Sequence, residues 1–261
     1  MTATFKLLGT STGPGVPSFF CSCVACQEAR ANPHLSRTRS GALLDTGKQK
    51  ILFDASPDLR SQLIREQIDS MDCLFISHWH YDHFGGLGEL EYYVQLKTHK
   101  PVKLFLPPDS VSSFSLAYPY LLDIVDLQPL QFEQKYRFQD VTVTPLPAQH
   151  SIQTAGFLLE AGKRIAYFTD TAGLPEITAH RVKNVDYFIC DASFFGDNWY
   201  PESHLSVKEA INLGRDINAQ HIVLTHLSMH YSTPVTSAQL EEAISNDANV
   251  IAAYDGIFFK L

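Results

Sequence analysis

The sequence predicts an α/β fold, and three observations carry that expectation. Short apolar runs alternate with segments whose apolar residues recur at helical spacing, as in Leu59, Leu63, Ile64 and Ile68. Two pairs of strand-like runs are joined by compact Gly-containing turns, Thr46-Gly47-Lys48 and Ala161-Gly162-Lys163. Several apolar runs also end abruptly on histidine or aspartate, a position that makes those residues candidate ligands.

The chain has 261 residues, 45% hydrophobic and 18% charged, an ordinary balance for a globular protein with a sizeable core. No repeat, low-complexity segment or long linker divides it, so residues 1–261 are expected to form a single domain. The formal charge is -8 and no Lys/Arg cluster appears, which argues against nucleic acid as a partner. An anionic substrate would need metals to attract it. The N-terminus lacks a basic region followed by a long apolar stretch, and no run approaches the roughly 18 apolar residues that span a membrane. A cytoplasmic protein without a membrane partner is expected.

Taken in order, Thr4-Phe-Lys-Leu-Leu8 reads as a first strand and Gly9-Thr-Ser-Thr-Gly13-Pro-Gly15-Val-Pro17 as a rigid, turn-rich loop. That loop lacks the Gly-Lys-Ser/Thr ending of a phosphate-binding P-loop, so its glycines are read as permitting close packing near a site. Cys21-Ser-Cys23-Val-Ala-Cys26 is too tight for an ordinary disulfide framework but suits thiolate coordination, which fits a reducing compartment. The other two cysteines, Cys73 and Cys190, lie in apolar runs and read as small buried hydrophobes.

Runs 40–45 and 49–54 form a hairpin, and Asp54 ends its second strand. A carboxylate there fits either of two roles, holding a metal-bound imidazole by its second ring nitrogen or capping the helix that starts at Pro57. A helix is expected over 57–68. Asp72-Cys-Leu-Phe-Ile76 then reads as a buried strand running into Ser77-His-Trp-His-Tyr-Asp-His83, before Gly85-Gly86 breaks the chain and a second amphipathic segment covers 87–96. His78, His80, Asp82 and His83 place four metal-competent side chains within six positions. Neutral imidazoles with a carboxylate suit zinc, manganese or iron, and the spacing points to two neighbouring metals.

Residues 101–147 read as short strands around a variable excursion. Beyond them, a strand-like run ends at Ala148-Gln149-His150, another at Thr169-Asp170-Thr171, and His221-Ile-Val-Leu-Thr-His226 supplies a third strand-end histidine. The aromatic stretch 194–200 leads to His204 and fits either a pocket wall or local packing. Ser206-Val-Lys-Glu209 and Thr236-Ser-Ala-Gln239 are capping boxes for two later helices.

His78-X-His80-X-Asp82-His83, His150, Asp170 and His226 together resemble, in identity and order, the ligand series of the metallo-β-lactamase superfamily, over most of the chain. The resemblance implies an αββα sandwich of two mixed sheets flanked by helices, with the site at one edge. It implies one metal held by His78, His80 and His150, a second held by Asp82, His83 and His226, and Asp170 bridging them. Gly9-Thr10, Gly15-Val-Pro17, the cysteine cluster and Thr169-Asp170-Thr-Ala-Gly-Leu-Pro175 further resemble the cyclic phosphodiesterases associated with carbon-phosphorus lyase pathways.

In that subfamily three cysteines and a histidine hold a structural zinc, which maps onto Cys21, Cys23, Cys26 and His230. This chain reads His226-Leu-Ser-Met-His230, one residue more than the family's usual spacing, so a slightly different loop must reach His230. His204 corresponds to a non-ligand active-site histidine. The resemblance therefore implies a dinuclear enzyme, with two divalent metals (Zn or Mn, Fe being possible) and one structural Zn. It would hydrolyse a small phosphodiester such as phosphoribosyl 1,2-cyclic phosphate or a 2′,3′-cyclic nucleotide. A metal-bridging hydroxide is the expected nucleophile, with Asp170 orienting the metals, Asp82 beside them and His204 as general acid. A homodimer is compatible with this reading. The alternatives are a tRNA 3′-processing endonuclease and a non-catalytic accessory protein related to pyrroloquinoline quinone biosynthesis.

Overall fold

The computed structural model describes residues 2–231 and 233–261. The first half contains β1 (Thr4–Gly9), α1 (Val24–Ala31), β2 (Gly41–Asp45), β3 (Lys50–Phe53), α2 (Leu59–Arg65), β4 (Cys73–Phe75), α3 (Tyr81–Phe84), α4 (Glu89–Tyr93), β5 (Val102–Leu106), α5 (Val111–Ala117) and β6 (Val125–Pro129). The second half contains β7 (Tyr136–Phe138), β8 (Val141–Ala148), β9 (Thr154–Glu160), β10 (Arg164–Phe168), α6 (Glu176–Arg181), β11 (Tyr187–Asp191), α7 (Val207–Asp216), β12 (His221–Thr225), α8 (Ser237–Ile244) and β13 (Val250–Ala252), and β14 (Phe258–Lys260) closes the chain.

These strands form two seven-stranded sheets, ordered β14-β1-β2-β3-β4-β5-β6 and β13-β12-β11-β10-β9-β8-β7. Short turns join the antiparallel pairs β2-β3, β7-β8, β8-β9 and β9-β10 and helices join the parallel pairs, whereas β1 is antiparallel to both β2 and β14 without a short turn. The expected αββα sandwich of two mixed sheets is the observed fold.

Alternation along each strand builds the layers. Phe53 and Phe75 face the space between the sheets with Phe157 and Tyr167, whereas Leu52 and Leu74 face the helices of the first half. Val223 likewise points between the sheets, and its neighbours Ile222 and Leu224 pack under the helices of the second half. The in-register ladder Phe53, Phe75 and Phe105 stacks at centroid distances of 5.7 and 4.5 Å.

Three local readings change. The helix expected over 57–68 spans only Leu59–Arg65, and Ile64 is exposed while Gln62 is buried, donating from Nε2 to the Arg39 carbonyl at 2.7 Å. A backbone acceptor, which hydropathy does not register, turns the polar residue inward. The segment over 87–96 gives the short α4 followed by a wider turn over Val94–Thr98, with Leu96 in solvent. Within 101–147, β8 runs on through Pro145 and Pro147 because its pairing with β7 stops at Val143. The prolines' missing N–H groups then fall where no partner strand needs them.

Both capping boxes form, Ser206 with Glu209 and Thr236 with Gln239. No helix of the described residues is long and apolar enough to cross a membrane.

Candidate metal centre

β3 runs parallel to β4 and β11 parallel to β12, and their C-terminal ends deliver Asp54, Ser77-His78, Asp191 and His226 to one edge of the sandwich. His150 follows β8 and Asp170 follows β10 at the same edge. Asp54 and His226 adopt left-handed backbone conformations, φ 64 and 54, which non-glycine residues rarely take. Such backbone strain concentrates at functional sites.

The ring nitrogens of His78, His80 and His150 converge: His80 Nδ1 lies 3.0 Å from His78 Nε2 and 3.2 Å from His150 Nε2. His150 donates its Nδ1–H to the Ser203 carbonyl at 2.8 Å, which leaves Nε2 as a lone pair. Ser77 Oγ donates to Asp54 Oδ2 and so accepts from His78 Nδ1 at 3.0 Å, again leaving Nε2 as a lone pair. Two lone pairs thus face His80 Nδ1, which carries at most one hydrogen. A cation resolves that arrangement. Burial, the largest influence, holds all three imidazoles below their ordinary range, in the neutral form that ligates metals.

Asp82, His83 and His226 form a second group. Asp170 stands between the two, with its carboxylate 3.1 Å from His83 Nε2, 3.4 Å from His226 Nε2 and 3.9 Å from His78 Nε2. His83 Nε2, His226 Nε2 and Asp170 Oδ2 are buried without a hydrogen-bond partner. These orphaned atoms and the N/O donor set fit divalent cations. Burial favours the neutral acids, but the surrounding imidazoles outweigh it and keep Asp82 and Asp170 well below the usual carboxylate range.

Two supports behind this cluster mirror one another. Asp54 accepts from Ser77 N–H at 2.7 Å, Ser77 Oγ at 2.9 Å and His83 Nδ1 at 2.8 Å. It does not cap α2, whose N-cap is Asp58, so of its two readings the structure favours the hold on an imidazole. Asp191 accepts from Ser193 N–H at 2.9 Å, Ser193 Oγ at 2.8 Å and His204 Nδ1 at 2.7 Å, and Ser193 Oγ accepts from His226 Nδ1 at 3.0 Å. Each carboxylate thereby fixes a tautomer that directs Nε2 inward.

Asp191 and the two serines were missed in the sequence, although Asp191 ends a strand as Asp54 and Asp170 effectively do. Asp54→Asn is expected to weaken active-site metal affinity about 10- to 100-fold, measured by competition with a chromogenic chelator.

His204 lines the cleft with Thr12, Gly13, Pro14, His80, Asp82 and Tyr231, a cavity of about 140 Å3. Burial disfavours its cation, but Asp191, with Asp170 and Asp82 further off, outweighs that and raises it to about 9. The aromatic stretch serves both of its readings: Phe194 borders the cleft, whereas Phe195 packs on the core under the helices.

Away from this edge, donor atoms of Cys21, Cys23, Cys26 and His230 lie within 4.8 Å of one another, with Cys26 Sγ 3.5 Å from His230 Nδ1. Met229, the residue before His230, adopts a left-handed conformation (φ 61) in the loop that brings His230 to the thiols. The backbone N–H of Cys23 lowers the Cys21 thiol, and burial pushes Cys26 up to about 11. This donor set fits a tetrahedral thiolate metal such as zinc. Cys73 and Cys190 are buried within the core clusters, the Cys73 thiol raised by burial to about 12.

The model of the β-lactamase superfamily domain matches residues 49–227. An octanoyltransferase of Porphyromonas gingivalis is 30% identical over 96% of this chain, which spans only 50% of that protein's length. The crystal structure of a new diphosphatase from the PhnP family is 23% identical with a TM-score of 0.86, covering 100% of this chain and 98% of that one. Zinc-bound PqqB from Methylobacterium extorquens is 21% identical with a TM-score of 0.82, covering 99% and 100%. The matched domain takes in the strand-end residues from Asp54 through His226, and the chain belongs to the β-lactamase superfamily, with the metallo-β-lactamase fold.

Proposed function

We propose that this protein is a metal-dependent phosphodiesterase that opens a small cyclic phosphodiester, such as phosphoribosyl 1,2-cyclic phosphate or a 2′,3′-cyclic nucleotide. The observation that carries the reading is the clustering of seven metal donors, of which His80, Asp82, Asp170 and His226 line one small cleft together with a protonatable histidine, His204. The fold shared with a PhnP-family diphosphatase is in keeping with it.

His78, His80 and His150 would hold one divalent cation, Asp82, His83 and His226 another, and Asp170 would touch both. Such cations, when bound, lower the pKa of water toward about 7 and neutralise charge on phosphoryl oxygens. The chain's own residues do the rest. Asp54 and Asp191 keep the ligand tautomers fixed, which pre-organises the site. His204, anchored through Nδ1 to Asp191, directs Nε2 toward the cleft and protonates the sugar oxygen as its bond to phosphorus breaks. Water supplies the new P–O bond, and the product is a phosphomonoester. Cys21, Cys23, Cys26 and His230 would hold a structural zinc remote from the chemistry.

Metal-reconstituted enzyme assayed on phosphoribosyl 1,2-cyclic phosphate, 2′,3′-cyclic nucleotides, linear diesters and precursor tRNA is expected to turn over the cyclic diesters fastest. Preferred cleavage of precursor tRNA would instead identify a processing endonuclease. Full metal loading without diesterase activity would identify an accessory protein.

A further inference from the structure

The loop after β1 borders the cleft through Thr12, Gly13 and Pro14. It is held firmly: Ser11 N–H donates to the Thr38 carbonyl at 2.9 Å, Gly15 N–H to the Thr12 carbonyl at 3.0 Å, and Arg39 Nε to the Gly13 carbonyl at 2.6 Å. Leu227 N–H, next to His226, donates to the Thr10 carbonyl at 2.8 Å, which ties the loop to the metal-site strand. A Cβ on Gly13 would stand 3.3 Å from Asp82 Oδ2, so the backbone passes close beside the proposed ligands.

Within that loop Thr12 is 4% exposed, lines the cleft, and its Oγ1 has no hydrogen-bond partner. A buried hydroxyl without a partner is destabilising, and natural structures rarely retain one without a use. Tyr231 lines the same cleft. Phe194 and Trp199 hold its ring at centroid distances of 6.0 and 5.8 Å.

We propose that the Thr12 hydroxyl, backed by Tyr231, binds a non-bridging oxygen of the substrate phosphate and sets the site's preference for a diester. This rests on the phosphodiesterase reading. Neutral donors give directional hydrogen bonds without added positive charge, and no Lys or Arg is among the described residues that border the cleft. A singly charged diester is satisfied by such a wall, whereas the doubly charged monoester product gains no extra cation there and is released.

The test is Thr12→Val, which removes the hydroxyl and keeps the shape, in metal-loaded enzyme. Metal content is expected to match wild type, affinity for inorganic phosphate by titration calorimetry to fall roughly 10-fold, and kcat/KM on a cyclic diester to fall about 10- to 100-fold. Thr12→Ser should restore most of both. Tyr231→Phe is expected to move them the same way by a smaller factor, and it decides the matter if Thr12→Val does not fold. Phosphate affinity equal to wild type in a folded Thr12→Val overturns the proposal. The phosphate arm decides even if the wild type hydrolyses no diester, an outcome that would sink the phosphodiesterase reading alone.

Discussion

Asp170→Asn is expected to lower diester turnover by roughly 10^3-fold or more and to reduce active-site metal occupancy, measured by kinetics and elemental analysis on the same preparation. Its carboxylate lies within 4 Å of His78, His83 and His226 and so reaches both groups of imidazoles. Asparagine preserves the volume but removes the charge and one acceptor. The variant then leaves buried imidazole nitrogens facing an amide, which neither bridges nor neutralises cations. Wild-type turnover with full metal loading would remove Asp170 from the centre of the site.

His204→Ala is expected to leave metal content unchanged and to lower kcat on a cyclic diester by about 10^2- to 10^4-fold, the range of a lost general acid. The pH dependence follows from its environment. Because Asp191 and the cleft carboxylates outweigh burial and raise His204 to about 9, the proton donor is present at neutral pH and is lost as pH rises through that value. Turnover should therefore fall on the alkaline side, and the alanine variant should lack that limb. Cations loaded beside His204 repel its charge and shift the limb below its metal-free position. The His204–Asp191 pair also contributes stability that is fully present below the unfolded value of about 6.5 and disappears as pH rises toward 9. Unchanged turnover in fully metal-loaded His204→Ala would remove it from the mechanism.

The strand-end residues were legible because their signal is local: a short apolar run dictates a buried strand, and a histidine or aspartate at its end has no packing reason to be there. Residues 77–83 concentrate four such side chains, and the structure brings all four to the cluster formed with His150, Asp170 and His226. Asp191 carries the same strand-end signal as Asp54 and Asp170, and its role shows only in the contacts it makes. Its partner His204 lies thirteen positions on and meets it only in the folded chain. Ser77 and Ser193 are small polar residues whose importance comes from relaying a carboxylate to an imidazole.

Helix boundaries were less legible, since tertiary hydrogen bonding can override a hydrophobic stripe. Gln62 turns inward to the Arg39 carbonyl and Ile64 outward, the reverse of what hydropathy dictates. The glycine-rich loop was read as close packing, and Gly13 beside Asp82 agrees with that reading. Thr12 gave no sequence signal, because one of several hydroxyl residues in a Gly-Thr-Ser-Thr-Gly turn is commonplace until burial strands its hydroxyl.

The most direct measurement is turnover of a cyclic phosphodiester by metal-stripped protein during titration with zinc or manganese, with bound metal counted at each point. No turnover is expected without metal, and activity should rise until two equivalents are bound beyond the one held by Cys21, Cys23, Cys26 and His230. Full activity in stripped protein, or complete loading that produces no diester hydrolysis, would contradict it.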